Sequence, residues 1–174
     1  MDDALRVACE MHERLWDSLK DALEDLGGEE RDWRPLPEAN SIALIVRHLA
    51  IEAEWHRAAL ERGQPMPHET TADLQREIDA VPFDFDENVK SLERSFAGFL
   101  STLKGITLAD LEQRSKEAYA RWPSRQPHYL GFHQAIHLAM HLGQIRTIRN
   151  LYRRTRGEPS RFFPENPTYP SSPR

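Results

Sequence analysis

Residues 130–152 read LGFHQAIHLAMHLGQIRTIRNLY, and this stretch decides the fold. Large apolar side chains and histidines recur every three or four residues, so on a helix of 3.6 residues per turn they share one broad face. The spacing predicts an amphipathic helix from about residue 126 to residue 154. The shared face consists of Leu130, His133, His137, Leu138, His141, Ile145, Ile148 and Tyr152.

Three segments upstream repeat this spacing and predict three more helices. Glycines are expected to end them, at Gly27, Gly63 and Gly105, and Asn40 or Ser41 is expected to cap the second one. The stripes are Leu5, Cys9, His12, Trp16, Leu19, Leu23 and Leu26; Ile42, Ile45, Val46, Leu49, Ala53 and Leu60; and Phe85, Val89, Leu92, Phe96, Phe99 and Leu103.

No segment alternates with period two, so strands are not expected, and the run from Thr107 suggests one further short helix. An antiparallel four-helix bundle is the simplest way to bury the four stripes. We expect one domain over residues 1–156 and a proline-rich tail over residues 157–174. Three aromatic residues of this tail are expected to hold it against the bundle or a partner subunit. They are Phe162, Phe163 and Tyr169.

Composition limits the classes of partner. The net charge is −5 and the pI is near 5.9, which argues against nucleic acid as the main partner. The basic run from Arg146 to Arg156 is interpreted as a solvated helix end. Mean hydropathy is −0.68 and the apolar runs are short, so no membrane span is expected. An acidic N-terminus without an export pattern and a single cysteine, Cys9, favour a cytoplasmic protein.

The histidines indicate a metal site. Side chains four residues apart lie one above the other on a helix, so His137 and His141 can direct their imidazoles at one atom. His133 lies about 12 Å from His141 along the helix axis and cannot join them on the same ion, so the third ligand should come from another helix. His48, beside the apolar stripe of the second helix, is the natural candidate. The sequence thus predicts one divalent transition-metal ion held by His48, His137 and His141.

Three other polar residues, His133, His12 and Glu52, each allow two interpretations. His133 either lines the pocket and hydrogen-bonds a ligand histidine or has a purely structural role. His12 either faces the same cavity or is a satisfied buried histidine. Glu52, one turn after His48, is either a base or orienting group or a solvated helix residue. His56, with His68 and His128, is expected to be exposed.

Three neutral imidazoles leave an ion its full charge and an open position, as in catalytic rather than structural sites. Imidazole suits several metals, of which zinc and nickel are the first expectations. His137-Leu-Ala-Met-His141 lacks the glutamate that zinc proteases carry beside their first ligand, which disfavours peptide hydrolysis.

The two histidine motifs resemble those of the DinB/YfiT-like superfamily. They are residues 40–49, NSIALIVRHL, and residues 137–145, HLAMHLGQI; Trp33-Arg34-Pro35 is also similar to that family. The resemblance implies a four-helix bundle, often a homodimer, with a three-histidine site for nickel or zinc at His48, His137 and His141. It also implies a thiol-dependent S-transferase acting on a small molecule with a low-molecular-weight thiol such as mycothiol or bacillithiol.

Two other functions stay open. One is a metal-dependent hydrolase of a small ester or amide, and the other is a non-enzymatic stress protein that binds a metal or a small ligand.

Overall fold

Seven helices make up the described part of the chain, in which no strand occurs. The structure is a computed structural model that describes residues 2–67, 71–80, 83–121 and 129–162. The helices are α1 (Asp3–Leu23), α2 (Gly28–Asp32), α3 (Ile42–Arg62), α4 (Thr71–Ala80), α5 (Phe85–Gly105), α6 (Leu108–Ala118) and α7 (Tyr129–Thr155).

Local capping fixes where these helices begin and end. The amide of Leu44 donates to Ser41 Oγ at 3.3 Å at the start of α3, and Gly63 ends that helix with a φ of +64°. Glycine adopts this left-handed conformation without the steric cost of a Cβ atom. Thr107 and Asp110 form a capping box at the start of α6. The predicted start and end of α3 and the predicted start of α6 are therefore explained by the residues at those positions.

The four long helices form a bundle in which α3 contacts α5 and α7, and α1 contacts the same two helices. The start of α1 shares an apolar cluster with the ends of α3 and α5 and the start of α7. The end of α1 shares the other cluster with the starts of α3 and α5 and the later part of α7. Helices α1 and α7 therefore run one way and α3 and α5 the other, and α4 lies in the long connection between α3 and α5. The predicted all-α four-helix bundle is confirmed.

Two short helices, α2 and α4, were not predicted, and α1 ends at Leu23, before the glycine pair expected to stop it. The start expected for the last helix, near residue 126, lies outside the described residues; α7 is described from Tyr129. Among the described helices, none is both long enough and apolar enough to cross a membrane.

Arg149 contradicts the interpretation of the basic run as solvated. Its side chain is only 1% exposed, and it donates from Nε to Glu30 Oε1 of α2 at 2.8 Å. It also donates from Nη1 to the carbonyl oxygens of Ala22 and Glu24, at 3.0 and 2.8 Å. This guanidinium is buried because it satisfies the end of α1 and the carboxylate of α2 together.

The first residues of the predicted tail lie on the bundle. Asn150 Oδ1 accepts hydrogen bonds from the amides of Arg161 and Phe162, both at 3.0 Å. The Phe162 ring packs against the core and lies under the guanidinium groups of Arg146 and Arg149. Phe163 and Tyr169, which were expected to act in the same way, lie outside the described residues.

Candidate metal centre

Three histidine side chains from two neighbouring helices converge on one point. His48 Nε2 lies 2.8 Å from His137 Nε2, and His141 Nε2 lies 3.0 Å from the same atom. Helix α3 contributes His48, while His137 and His141 lie one turn apart on α7. Among the described residues, this is the group of three or more histidine, cysteine or carboxylate side chains close enough to share an ion. The structure thus brings together the three ligands predicted from the sequence.

Hydrogen bonding alone does not satisfy this arrangement well. His141 Nδ1 donates to Gln144 Oε1 at 2.7 Å, so in the neutral ring His141 Nε2 carries a lone pair. His137 Nε2 has either one hydrogen or one lone pair, so it makes a good hydrogen bond to only one of its two neighbours. Three lone pairs directed at a common point are the donor set that imidazole-bound transition metals use. The residues therefore fit a metal ion.

Burial keeps the imidazoles of His137 and His141 neutral. Burial, together with the four neighbouring imidazoles, lowers the pKa of His137 to about 2. Burial also lowers the pKa of His141, although the hydrogen bond to Gln144 acts in the opposite direction. Both rings therefore keep a lone pair for metal binding at neutral pH.

A second pair of histidines, His56 and His133, connects the same two helices, and the prediction for His56 was wrong. His56 was expected to be exposed, but its exposure is 0%. Its Nδ1 donates to the Glu52 carbonyl oxygen at 2.7 Å, and its Nε2 lies 3.0 Å from His133 Nδ1. The His133 ring also stacks on the ring of His137, with centroids 5.8 Å apart. His133 thus lies beside the triad, and its hydrogen bond to His56 ties α7 to α3.

Glu52 is buried, which contradicts its interpretation as a solvated helix residue. It is 8% exposed, and burial raises the pKa of its carboxyl group to about 7. Glu52 lines a small cavity inside the bundle with His137 and Gln134. Gln134 was not predicted. It lies one turn before His137 on the same helix, but the sequence does not show the cavity that both residues line.

His12 does not join the triad. Its Nδ1 donates to the Ala8 carbonyl oxygen at 2.7 Å, and its ring packs against Phe96 and Phe99 of α5. Its Nε2 is buried without a hydrogen-bond partner among the described residues. The histidine is therefore buried as expected, although only half of its hydrogen-bonding capacity is satisfied.

A sequence model of the DinB superfamily matches residues 11–145. The chain belongs to this superfamily. No curated protein and no solved structure matches the chain in the other two comparisons. The DinB match spans all the histidines of the site together with Glu52, Gln134 and Gln144, whereas Arg149 and the segment around Phe162 follow it. Superfamily membership thus accounts for the bundle and for the histidine motifs, but not for the C-terminal contacts.

A groove of about 550 Å³ opens beside the triad of this DinB protein, between α7, the start of α3 and the loop before it. It adjoins the triad because Ile45 precedes His48 by one helical turn and Gln144 hydrogen-bonds His141. Among the described residues that line it, none is charged. They are Pro35, Ala39, Asn40, Ile45, Met140, Gly143, Gln144, Thr147, Ile148 and Leu151.

The raised pKa of Glu52 predicts a pH-dependent stability difference between the metal-free wild type and Glu52→Gln. Below pH 4.5 the carboxyl group is protonated in both the folded and the unfolded chain. Between pH 4.5 and 7 it ionises only in the unfolded chain, so the free energy of unfolding of the wild type should fall relative to that of the variant. The expected relative loss is up to about 3 kcal/mol, at roughly 1.4 kcal/mol per pH unit. Urea unfolding of both proteins across this range measures it, and a constant difference would contradict the prediction.

Proposed function

We propose that His48, His137 and His141 bind one divalent transition-metal ion, zinc or nickel, and that the protein is a metal-dependent S-transferase. In this reaction a low-molecular-weight thiol forms a new carbon–sulfur bond with a small electrophile, while the bond from that carbon to its leaving group breaks. The thiol proton leaves with that group. The observation that supports the proposal best is the convergence of three imidazole Nε2 atoms beside an uncharged groove.

The donor set favours catalysis over a structural role. Three neutral ligands would leave the charge of a bound ion uncompensated and would leave room for a further ligand. An ion held by these residues would lower the pKa of a thiol or of water that reaches it. Gln144 holds the His141 ring so that Nε2, rather than Nδ1, faces the other two histidines.

The residues that line the groove favour a small, uncharged substrate. Its walls are mainly apolar, with Ile45, Ile148 and Leu151 among the larger side chains. Asn40 and Gln144 are amide groups available for hydrogen bonds to a substrate. Because the described lining residues include no cation, the groove disfavours anionic substrates. Because Gln144 both lines this groove and hydrogen-bonds His141, a molecule bound in the groove would lie close to the triad.

Peptide hydrolysis is disfavoured on two grounds. The residue that follows His137 is Leu138, where zinc proteases have their glutamate base. Glu52, a buried carboxyl group one turn after His48, lines the internal cavity with Phe96 of α5 and is not among the described residues of the groove. It is therefore better placed to hold a ligand than to act on a substrate.

Elemental analysis of tag-free protein tests the metal site. We expect about one zinc or nickel ion per chain in the wild type, and loss of that metal in His48→Ala, His137→Ala and His141→Ala. The site would be refuted if the wild type held no metal even after reconstitution. It would also be refuted if all three variants held as much metal as the wild type.

A thiol-transfer screen tests the reaction. Metal-loaded protein is assayed with common cellular thiols, including mycothiol and bacillithiol, against a panel of uncharged electrophiles. We expect thiol consumption that disappears in His141→Ala. Turnover of esters or amides without any thiol would instead favour the hydrolase, and metal binding without turnover on any panel would favour the non-enzymatic stress protein.

We also propose that the protein is a cytoplasmic homodimer. The outer face of α7 supports a dimer, because Ile136 and Met140 are 57% and 56% exposed one turn apart. Sedimentation velocity of the wild type beside Ile136→Glu tests the dimer, and a monomeric wild type would refute it.

A further inference from the structure

A small cavity lies inside the bundle next to His137, with walls from α3, α5 and α7. Its polar lining consists of Glu52, Gln134 and His137, and Phe96 contributes to the apolar remainder. The cavity offers about 10 Å³ to the centre of a water-sized sphere, which is close to the space that one water molecule requires. It is too small for any larger ligand.

Two of its polar groups lack direct partners. Gln134 Oε1 is buried and has no hydrogen-bond partner among the described residues. Among the described residues, the Glu52 carboxylate has His56 Nδ1 at 3.7 Å, which is too long for a hydrogen bond. That nitrogen already donates to the Glu52 carbonyl oxygen. Leaving buried polar groups unpaired is costly, so an ordered water is the usual solution in such a space.

The third polar group belongs to the proposed metal centre. His137 Nε2 faces His48 and His141, so Nδ1 is its second ring nitrogen, and it makes no hydrogen bond within the described residues. A metal-binding imidazole normally donates from its second nitrogen to a carboxylate, a carbonyl or a water, which fixes the tautomer and the ring orientation. His141 has such a partner in Gln144, whereas His137 has none among the protein groups described.

We propose that one buried water occupies this cavity and makes Glu52 and Gln134 positioning residues of the metal centre. The inference rests on the proposed function of the triad. The water accepts a hydrogen bond from His137 Nδ1 and donates to Gln134 Oε1 and to a Glu52 carboxyl oxygen. It thereby keeps the proton of His137 on Nδ1 and the lone pair on Nε2, the atom that faces the other two ligands.

The test compares zinc affinity, measured by competition with a chromophoric chelator, with the stability of the metal-free protein. Glu52→Leu and Gln134→Leu are each expected to weaken zinc binding by roughly 10- to 100-fold. The double variant should bind zinc only slightly more weakly than the weaker-binding single variant, because both side chains hold the same water. Metal-free protein should be no less stable in either variant, because each removes a buried polar group that has no direct hydrogen-bonded partner.

Two further variants separate positioning from structure. Glu52→Gln keeps an oxygen acceptor for the water and should restore most of the affinity. Glu54 lies two residues after Glu52 on α3, and its carboxylate accepts hydrogen bonds from Arg57 and Ser95. Glu54→Gln is therefore the matched control and should leave zinc affinity unchanged.

The outcomes distinguish this inference from the proposed function. Wild type that binds no zinc would overturn both. If both leucine variants bind zinc as tightly as the wild type does, only the role of Glu52 and Gln134 is overturned. Losses of affinity matched by equal losses of metal-free stability would also overturn it, because they would indicate a purely structural role.

Discussion

Zinc is expected to raise the free energy of unfolding of the wild type by about 4 kcal/mol when free zinc exceeds its Kd a thousandfold, and His137→Ala should lose this gain. The reason is linkage, since an ion that binds only the folded chain stabilises it. His137 is the decisive ligand because its Nε2 is the atom within 3.0 Å of both other Nε2 atoms. Without it, only two imidazoles remain at the site, those of His48 and His141, with ring centroids 4.9 Å apart.

Urea unfolding with and without zinc, at equal protein concentration, measures this gain. His12→Phe is the matched control, because it removes a buried imidazole that packs against Phe96 and Phe99 outside the triad. This control should keep the full stabilisation by zinc. A gain that survives in His137→Ala would show that zinc binds elsewhere, and the metal centre would have to be abandoned.

The four long helices and the His137–His141 pair were predictable because both depend on short-range periodicity. The spacing of Ile42 to Leu60 and the cap at Ser41 define α3 without any knowledge of its neighbours. The spacing of His137 and His141 defines a chelating pair in the same way. Only the choice of His48 required two helices to meet, and the bundle geometry limited that choice to residues beside the buried stripe.

His56 and Arg149 were mispredicted although the sequence held the signal. His56 follows Leu49 and Ala53 at steps of four and three, and Arg149 follows Ile145 by four, so both positions continue a buried stripe. They were interpreted from residue type, because histidine and arginine are usually exposed. What the periodicity could not supply was the partner, since His133 and Glu30 lie on other helices.

Glu30 could not be recognised because α2 has only five residues, too few for a periodic pattern. Gln134 was missed for a different reason, since a polar residue on a buried helix face shows its role only when the cavity that it lines is known. Long-range burial of polar groups therefore marks the limit of what the sequence alone could provide for this site.

Glu30→Ala is expected to lower the free energy of unfolding by about 3–5 kcal/mol, because it leaves the Arg149 guanidinium buried without its carboxylate. The side chains of Arg149 and Glu30 are 1% and 9% exposed, so water cannot easily replace the lost partner. The bonds from Arg149 to Ala22 and Glu24 satisfy hydrogens but do not neutralise the charge. Urea unfolding measures the loss.

Glu29→Ala is the matched control in the same short helix. Glu29 contacts Arg156 at 3.5 Å with both side chains largely exposed, and removal of such a pair should cost no more than about 1 kcal/mol. Replacing Glu30 and Arg149 together by leucine should recover much of the loss, because no buried charge then remains. Equal small effects of Glu30→Ala and Glu29→Ala would mean that water reaches Arg149. The position of α7, and with it of His137 and His141, would then depend on apolar packing alone.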